Sequence, residues 1–122
     1  MKLLGDLYTV TKRTDTESGV DYLIRLNPGS VIFKAHFPDH PVTPGACLVQ
    51  LAQDLTETFL ECPLMVRTIK NVKFLSVISP LAVQDLDFRI TVKEDGDLIQ
   101  SQVLVSDAQN TYAKLTLLCQ KP

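Results

Sequence analysis

An imidazole set among prolines is the part of this sequence best equipped for chemistry. His36-Phe37-Pro38-Asp39-His40-Pro41-Val42-Thr43-Pro44-Gly45 leads directly into an apolar segment. Each proline holds its φ at about −65° and keeps the residue before it out of the helical region. The stretch therefore reads as a stiff loop. Thr43 is placed to be the N-cap of a following helix, with Pro44 at its first position. The first amides of a helix lack partners within it and carry partial positive charge. A histidine, which titrates near neutrality, held beside such a terminus is arranged for acid–base chemistry on an acyl group.

The other reactive side chains have plainer readings. Taken alone, His36 would more often be a hydrogen-bonded loop residue than a catalyst, and His40 reads as a surface or loop-stabilising residue. A metal site from His36, Asp39, His40 and Cys47 is disfavoured, because the zinc-binding i, i+4 histidine pair needs one helix face and the prolines forbid that helix. No cofactor or metal is expected. Cys47 falls in the first helical turns, where a thiol pKa can be lowered, but its neighbours Ala46 and Leu48 favour packing. Gln50 and Asp54 can be read as the polar side of a helix, Asp54 more readily than Gln50.

The helix itself is expected from Thr43 to about Glu61. Leu48, Leu51, Ala52, Leu55 and Phe59 recur at helical spacing and form one broad apolar face. Asp54, Glu57, Glu61 and Gln53 mark a narrower polar side, and Cys62-Pro63 ends the element. Everything else alternates with period two. Leu86, Phe88, Ile90 and Val92 face one way, followed by the Glu94-Asp95-Gly96-Asp97 turn, where glycine supplies positive φ. Ile99, Ser101, Val103 and Val105 continue the pattern, Asp107-Ala108-Gln109-Asn110 turns again, and Tyr112 to Cys119 returns. Earlier strands are expected near Leu4–Thr11, Asp21–Leu26 and Ile69–Phe74. The order of strand, strand, helix and about four antiparallel strands implies an α+β fold with one sheet wrapped around a single long helix. Open sheet edges invite pairing with a second copy, so a dimer with a continuous sheet is expected.

The 122 residues suit one domain, spanning 1–122. With 45% hydrophobic and 21% charged residues and a formal net charge of −2, the chain has no basic run or stripe that would suit nucleic acid. No apolar run approaches the length of a membrane span. Met1-Lys2-Leu3-Leu4-Gly5-Asp6 breaks its apolar start too early for a signal peptide. Cys47, Cys62 and Cys119 make an odd count without disulfide or zinc spacing. A cytoplasmic protein is expected.

With these residues laid out, the chain resembles the hot-dog-fold (3R)-hydroxyacyl-[acyl-carrier-protein] dehydratases. The likeness rests on His36-Phe37-Pro38, Pro41, Pro44-Gly45 and the apolar helix behind them, with Asn71-Val72-Lys73-Phe74 matching the strand after the helix. It spans nearly the whole chain in element order. The resemblance implies a catalytic role for His36, a thioester carbonyl facing the backbone amides of Gly45 and Ala46, an acyl tunnel along the helix, and sites built across a dimer interface. One position departs. Where the family carries a Glu or Asp, five residues after the Pro-Gly glycine, this chain has Gln50. A glutamine can hydrogen-bond a hydroxyl or orient water but cannot supply a proton as an acid does.

Three accounts of Gln50 stand open. Asp54, one turn on, substitutes as the acid; a related partner subunit supplies the carboxylate; or this subunit binds acyl thioesters and catalyses little. The expected reaction is dehydration of a (3R)-3-hydroxyacyl thioester on acyl carrier protein to the trans-2-enoyl thioester, in fatty-acid or polyene-type lipid biosynthesis. His36 would remove the C2 proton, and Gln50 would position the hydroxyl or a water. The alternatives are an acyl-binding subunit of a dehydratase-like heterodimer, or a hot-dog thioesterase. Arg67, Lys70 and Lys73 are read as a solvated face in preference to a carrier-protein contact.

Overall fold

A computed structural model describes residues 5–35 and 42–122. The chain forms β1 (Tyr8–Asp15), β2 (Gly19–Leu26), α1 (Val31–Ala35), α2 (Gly45–Leu60), β3 (Met65–Phe74), β4 (Asp85–Asp95), β5 (Leu98–Ser106) and β6 (Thr111–Gln120). The six strands make one antiparallel sheet in the order β1-β2-β4-β5-β6-β3.

Alternation fixes which face of this sheet is covered. Tyr22, Phe88, Val105 and Ala113 stand opposite one another across four strands, as do Val20, Ile90, Val103 and Leu115. All eight are buried. Against them α2 sets Leu48, Leu51, Ala52 and Leu55 in the same core. One polar contact ties helix to sheet within this apolar layer: Thr56 Oγ1 lies 2.8 Å from Ser101 Oγ. Thr56 gives its own proton to the Ala52 carbonyl at 2.7 Å, so Ser101 is the donor between the two hydroxyls.

Turns follow glycine and asparagine chemistry. Gly96 adopts φ 59° between β4 and β5, as that turn requires. At Gly19 the constraint is proximity, since a Cβ there would sit 1.9 Å from the Ile90 carbonyl oxygen. Asn71 takes φ 55° within β3, a left-handed conformation asparagine tolerates. The register slips there between Lys70 and Lys73.

Several expectations are adjusted. Thr43 is not the N-cap: Pro44 is, with φ −61° and ψ 145°, and no side chain caps the helix. The Thr43 hydroxyl is buried without a hydrogen-bond partner. The proline sets this boundary, because its extended ψ delays the first helical residue to Gly45. The helix ends at Leu60, with Glu61 in the left-handed region. The first strand starts at Tyr8 because Gly5 turns with φ 93° and donates to the Tyr8 carbonyl. β3 begins earlier than expected, at Met65.

α2 is the longer of two helices among the described residues. The short α1 went unanticipated, although Asn27-Pro28-Gly29-Ser30 announces it. Asn27 Oδ1 accepts from Gly29 N–H, and Ser30 Oγ accepts from Ile32 N–H at 3.2 Å, as an N-cap does. No helix among the described residues is long and apolar enough to cross a membrane.

Candidate functional site

The N-terminus of α2 is held from two sides. Thr43 N–H donates to the Ile78 carbonyl at 2.8 Å, which ties the helix lead-in to the loop after β3. Phe74, the last residue of β3, lays its ring on Gly45: a Cβ added to Gly45 would stand 2.8 Å from Phe74 Cζ. The bulge at Asn71 sets the final residues of β3 out of step with β6, and Phe74 closes the strand at the start of the helix.

Two backbone donors are left open there. Cys47 and Leu48 N–H both reach the Pro44 carbonyl, at 2.9 and 3.3 Å. Pro44 has no N–H to offer. Among the described residues, the amides of Gly45 and Ala46 meet no acceptor. An acceptor oxygen placed at this end would find two donors and the positive end of the helix dipole. Cys47 sits just beyond, and burial pushes its thiol above the ordinary range. Cys47 also packs against the hydrophobic core, which fits the packing role.

One turn further, Gln50 is half-buried and its Nε2 donates to Asp54 Oδ1 at 2.9 Å. Asp54 is not on a solvated side: it is 1% exposed. Helical spacing puts the two on one face, as expected, but the periodicity could not tell that this face would be covered. Tyr8 of β1 lies within the field of Asp54. Burial first, and then the Asp54 charge, push the Tyr8 phenol well above its usual range. The structure thus joins Gln50 to Asp54 and sets Tyr8 near them, a residue that the sequence reading did not single out. His36 and His40 lie outside the described residues. α1 ends at Ala35, the last described residue before that stretch. Phe33 anchors α1 at 2% exposure, and Ser30 Oγ donates to Asp6 Oδ2 at 2.7 Å.

Open grooves of about 440, 420 and 500 Å³ run over strand and turn residues without reaching α2. The first is lined by Lys73, Arg89 and Lys114 among others. Arg89 is already bound to Asp21, at 3.1 Å. No residue of α2 lines these grooves, and they are set aside as the candidate site.

A six-stranded antiparallel sheet with a helix packed on one face is the arrangement of hot-dog and thioesterase-superfamily proteins. The chain belongs to the ApeI-like family, described as ApeI dehydratase, whose family model matches residues 11–114. Comparison with curated proteins found no match. Among solved structures, the chain is similar to the dehydratase heterocomplex ApeI:P from Xenorhabdus doucetiae, with a TM-score of 0.75 and 20% identity over 92% of this chain and 96% of that one. An uncharacterised protein from Erwinia carotovora subsp. atroseptica superposes with a TM-score of 0.70 and 17% identity, covering 93% and 94% of the two chains. A protein of the thioesterase superfamily gives 0.67 and 19%, covering 94% and 84%. At these identities the likeness is one of fold.

Proposed function

We propose that this chain dehydrates a (3R)-3-hydroxyacyl thioester, carried on acyl carrier protein, to the trans-2-enoyl thioester. The observation that carries the reading is the dehydratase family match over residues 11–114, which takes in the whole helix with its two open amides. In this mechanism His36 takes the C2 proton. The Gly45 and Ala46 amides hold the thioester oxygen as it gains enolate character, a stabilisation that is usually a large catalytic contribution. Gln50 orients the departing hydroxyl or a water. The carbon–oxygen bond at C3 breaks as the C2–C3 double bond forms, and the hydroxyl leaves as water with the proton that His36 took from C2, because Gln50 itself has none to supply.

The second reading, an acyl-binding subunit paired with a complementary hot-dog chain, is favoured by that missing acid. The ApeI:P structure is itself a dehydratase heterocomplex. The pairing surface would be β3. It is an edge strand exposed along almost its whole length, and it offers Met65, Ile69, Val72 and Phe74, whereas the opposite edge, β1, is mainly polar. An apolar unpaired edge is the usual route to strand addition.

The test is to supply a 3-hydroxyacyl thioester on acyl carrier protein and follow enoyl absorbance and free thiol together. Enoyl formation that His36→Ala abolishes without unfolding the chain supports the dehydratase. Thiol release in its place assigns hydrolysis. Neither product, with activity appearing only when a carboxylate-bearing hot-dog partner is added, assigns the subunit role.

A further inference from the structure

The 440 Å³ groove lies on the face of the sheet turned away from α2. Val103 and Leu115 belong to the core, so the residues alternating with them, Gln102, Lys114 and Thr116, stand on the opposite face. Among the described residues, the lining of this groove includes no Asp or Glu, in a chain with 14 acidic and 12 basic residues. The strand register makes two of its lysines neighbours. Lys70 stands opposite Thr116, and a regular strand would next set Val72 opposite Lys114. The slip at Asn71 sets Lys73 there instead. Like charges directly opposite one another destabilise a sheet. Neither lysine has an ion-pair partner among the described residues. Arg89, the third cation of the groove, is matched by Asp21 at 3.1 Å. Two positive charges are therefore left together without a counter-charge.

We propose that this groove is a binding site for a phosphate monoester, held between Lys73 and Lys114. Above its second pKa of about 6 a phosphomonoester carries close to two negative charges, which matches the two ammonium groups. A carboxylate or a phosphodiester matches only one of them. Each ammonium offers three donors to the phosphate oxygens. Gln102 and Thr116 line the same groove and add neutral donors. Thr116 is only 6% exposed, and its hydroxyl forms no hydrogen bond to the described residues. The bound anion replaces the repulsion between the lysines with attraction on both sides. The site does not depend on the thioester reading, because it stands on the other face of the sheet from α2.

The experiment titrates methyl phosphate, a dianion at pH 8, and dimethyl phosphate, a monoanion, into the protein at constant ionic strength. Backbone amide NMR shifts report both affinity and location. The wild type should bind methyl phosphate saturably, with shifts centred on Lys73, Lys114 and Thr116, and about tenfold more tightly than dimethyl phosphate. Lys73→Gln and Lys114→Gln should each lose about tenfold in affinity for methyl phosphate, the scale of one charged hydrogen bond. Both lysines are exposed, so the neutral variants should fold, and Lys114→Gln should unfold at no lower temperature than the wild type because the repulsion is gone. Equal affinity for the two probes, or wild-type affinity kept by the folded Lys73→Gln/Lys114→Gln variant, overturns the proposal. Should that double variant not fold, shifts in the wild type that do not saturate, or that centre elsewhere, overturn it.

Discussion

The ring of Phe74 rests on the Cα of Gly45, leaving no room for a side chain at the first residue of α2. The glycine is required by this contact and not by its own dihedral angles, since it is absent from the positive-φ residues. Gly45→Ala must therefore move the ring. Phe74 is 52% exposed, so the ring can swing outward, and the cost to stability should be no more than about 1–2 kcal/mol. Activity should fall further than stability, because the displaced ring borders the open amides. Thermal unfolding and enoyl formation measured on one preparation check this; an unfolded Gly45→Ala protein would show that the ring cannot yield.

Gln50→Glu puts a second carboxyl group within hydrogen-bond distance of buried Asp54. Two carboxylates so placed resist ionising together, which raises the apparent pKa of the pair. A folded-state pKa above the unfolded value contributes stability that is present at low pH and lost as pH rises. The variant should accordingly be close to wild type in stability near pH 4 and clearly less stable at pH 8. Adding Asp54→Asn to Gln50→Glu restores an amide–carboxylate pair and should remove that pH dependence. Chemical denaturation at the two pH values decides the matter.

Ser101 and Thr56 form the polar link between β5 and α2 inside the core. Thr56→Val leaves the Ser101 hydroxyl buried without its acceptor and should cost about 1–3 kcal/mol. Ser101→Ala removes only the donor, since Thr56 keeps its bond to Ala52, and should cost less. The double variant should lose less than the sum of the two single losses. Strict additivity in urea unfolding would refute the link.

Asp107 organises the turn before β6. Its carboxylate accepts from the Tyr112 hydroxyl at 2.5 Å and from the Gln109 and Asn110 amides, each at 2.8 Å. The Tyr112 bond first, then the two amides, hold its pKa below the usual aspartate range. A depressed folded-state pKa contributes stability present above the unfolded value of about 3.9 and lost as pH falls through the lower folded value. Tyr112→Phe should weaken this contribution, so that stability depends less steeply on pH under acid conditions. An acid titration of unfolding that is identical in both proteins would contradict it.

Ile69 stands 46% exposed in the middle of the β3 edge. Ile69→Lys adds a charge where a partner strand would pair, and within the protomer it should change stability by less than about 0.5 kcal/mol. If β3 is the pairing edge, the variant should shift to the smaller species in sedimentation at equal concentration. An unchanged distribution would place association elsewhere.

Much of this architecture was legible in the chain. Period-two alternation at Leu86–Val92, Ile99–Val105 and Tyr112–Cys119 marked the covered face, and helical spacing from Leu48 to Leu55 marked the helix. In both cases the spacing of apolar residues directly encodes which side chains share a surface. The same residues also made Gly96 a turn, because few others accept its φ. Asp54 shows where that logic stops. Spacing put it beside Gln50 but on a side read as solvated, and only the tertiary structure, which covers that side and sets Tyr8 near it, made it a buried partner. The strand order, the bare edge of β3 and the Phe74 ring on Gly45 belong with it. Periodicity assigns residues to faces within one element, whereas these relations depend on contacts between residues distant in sequence, which no local pattern carries.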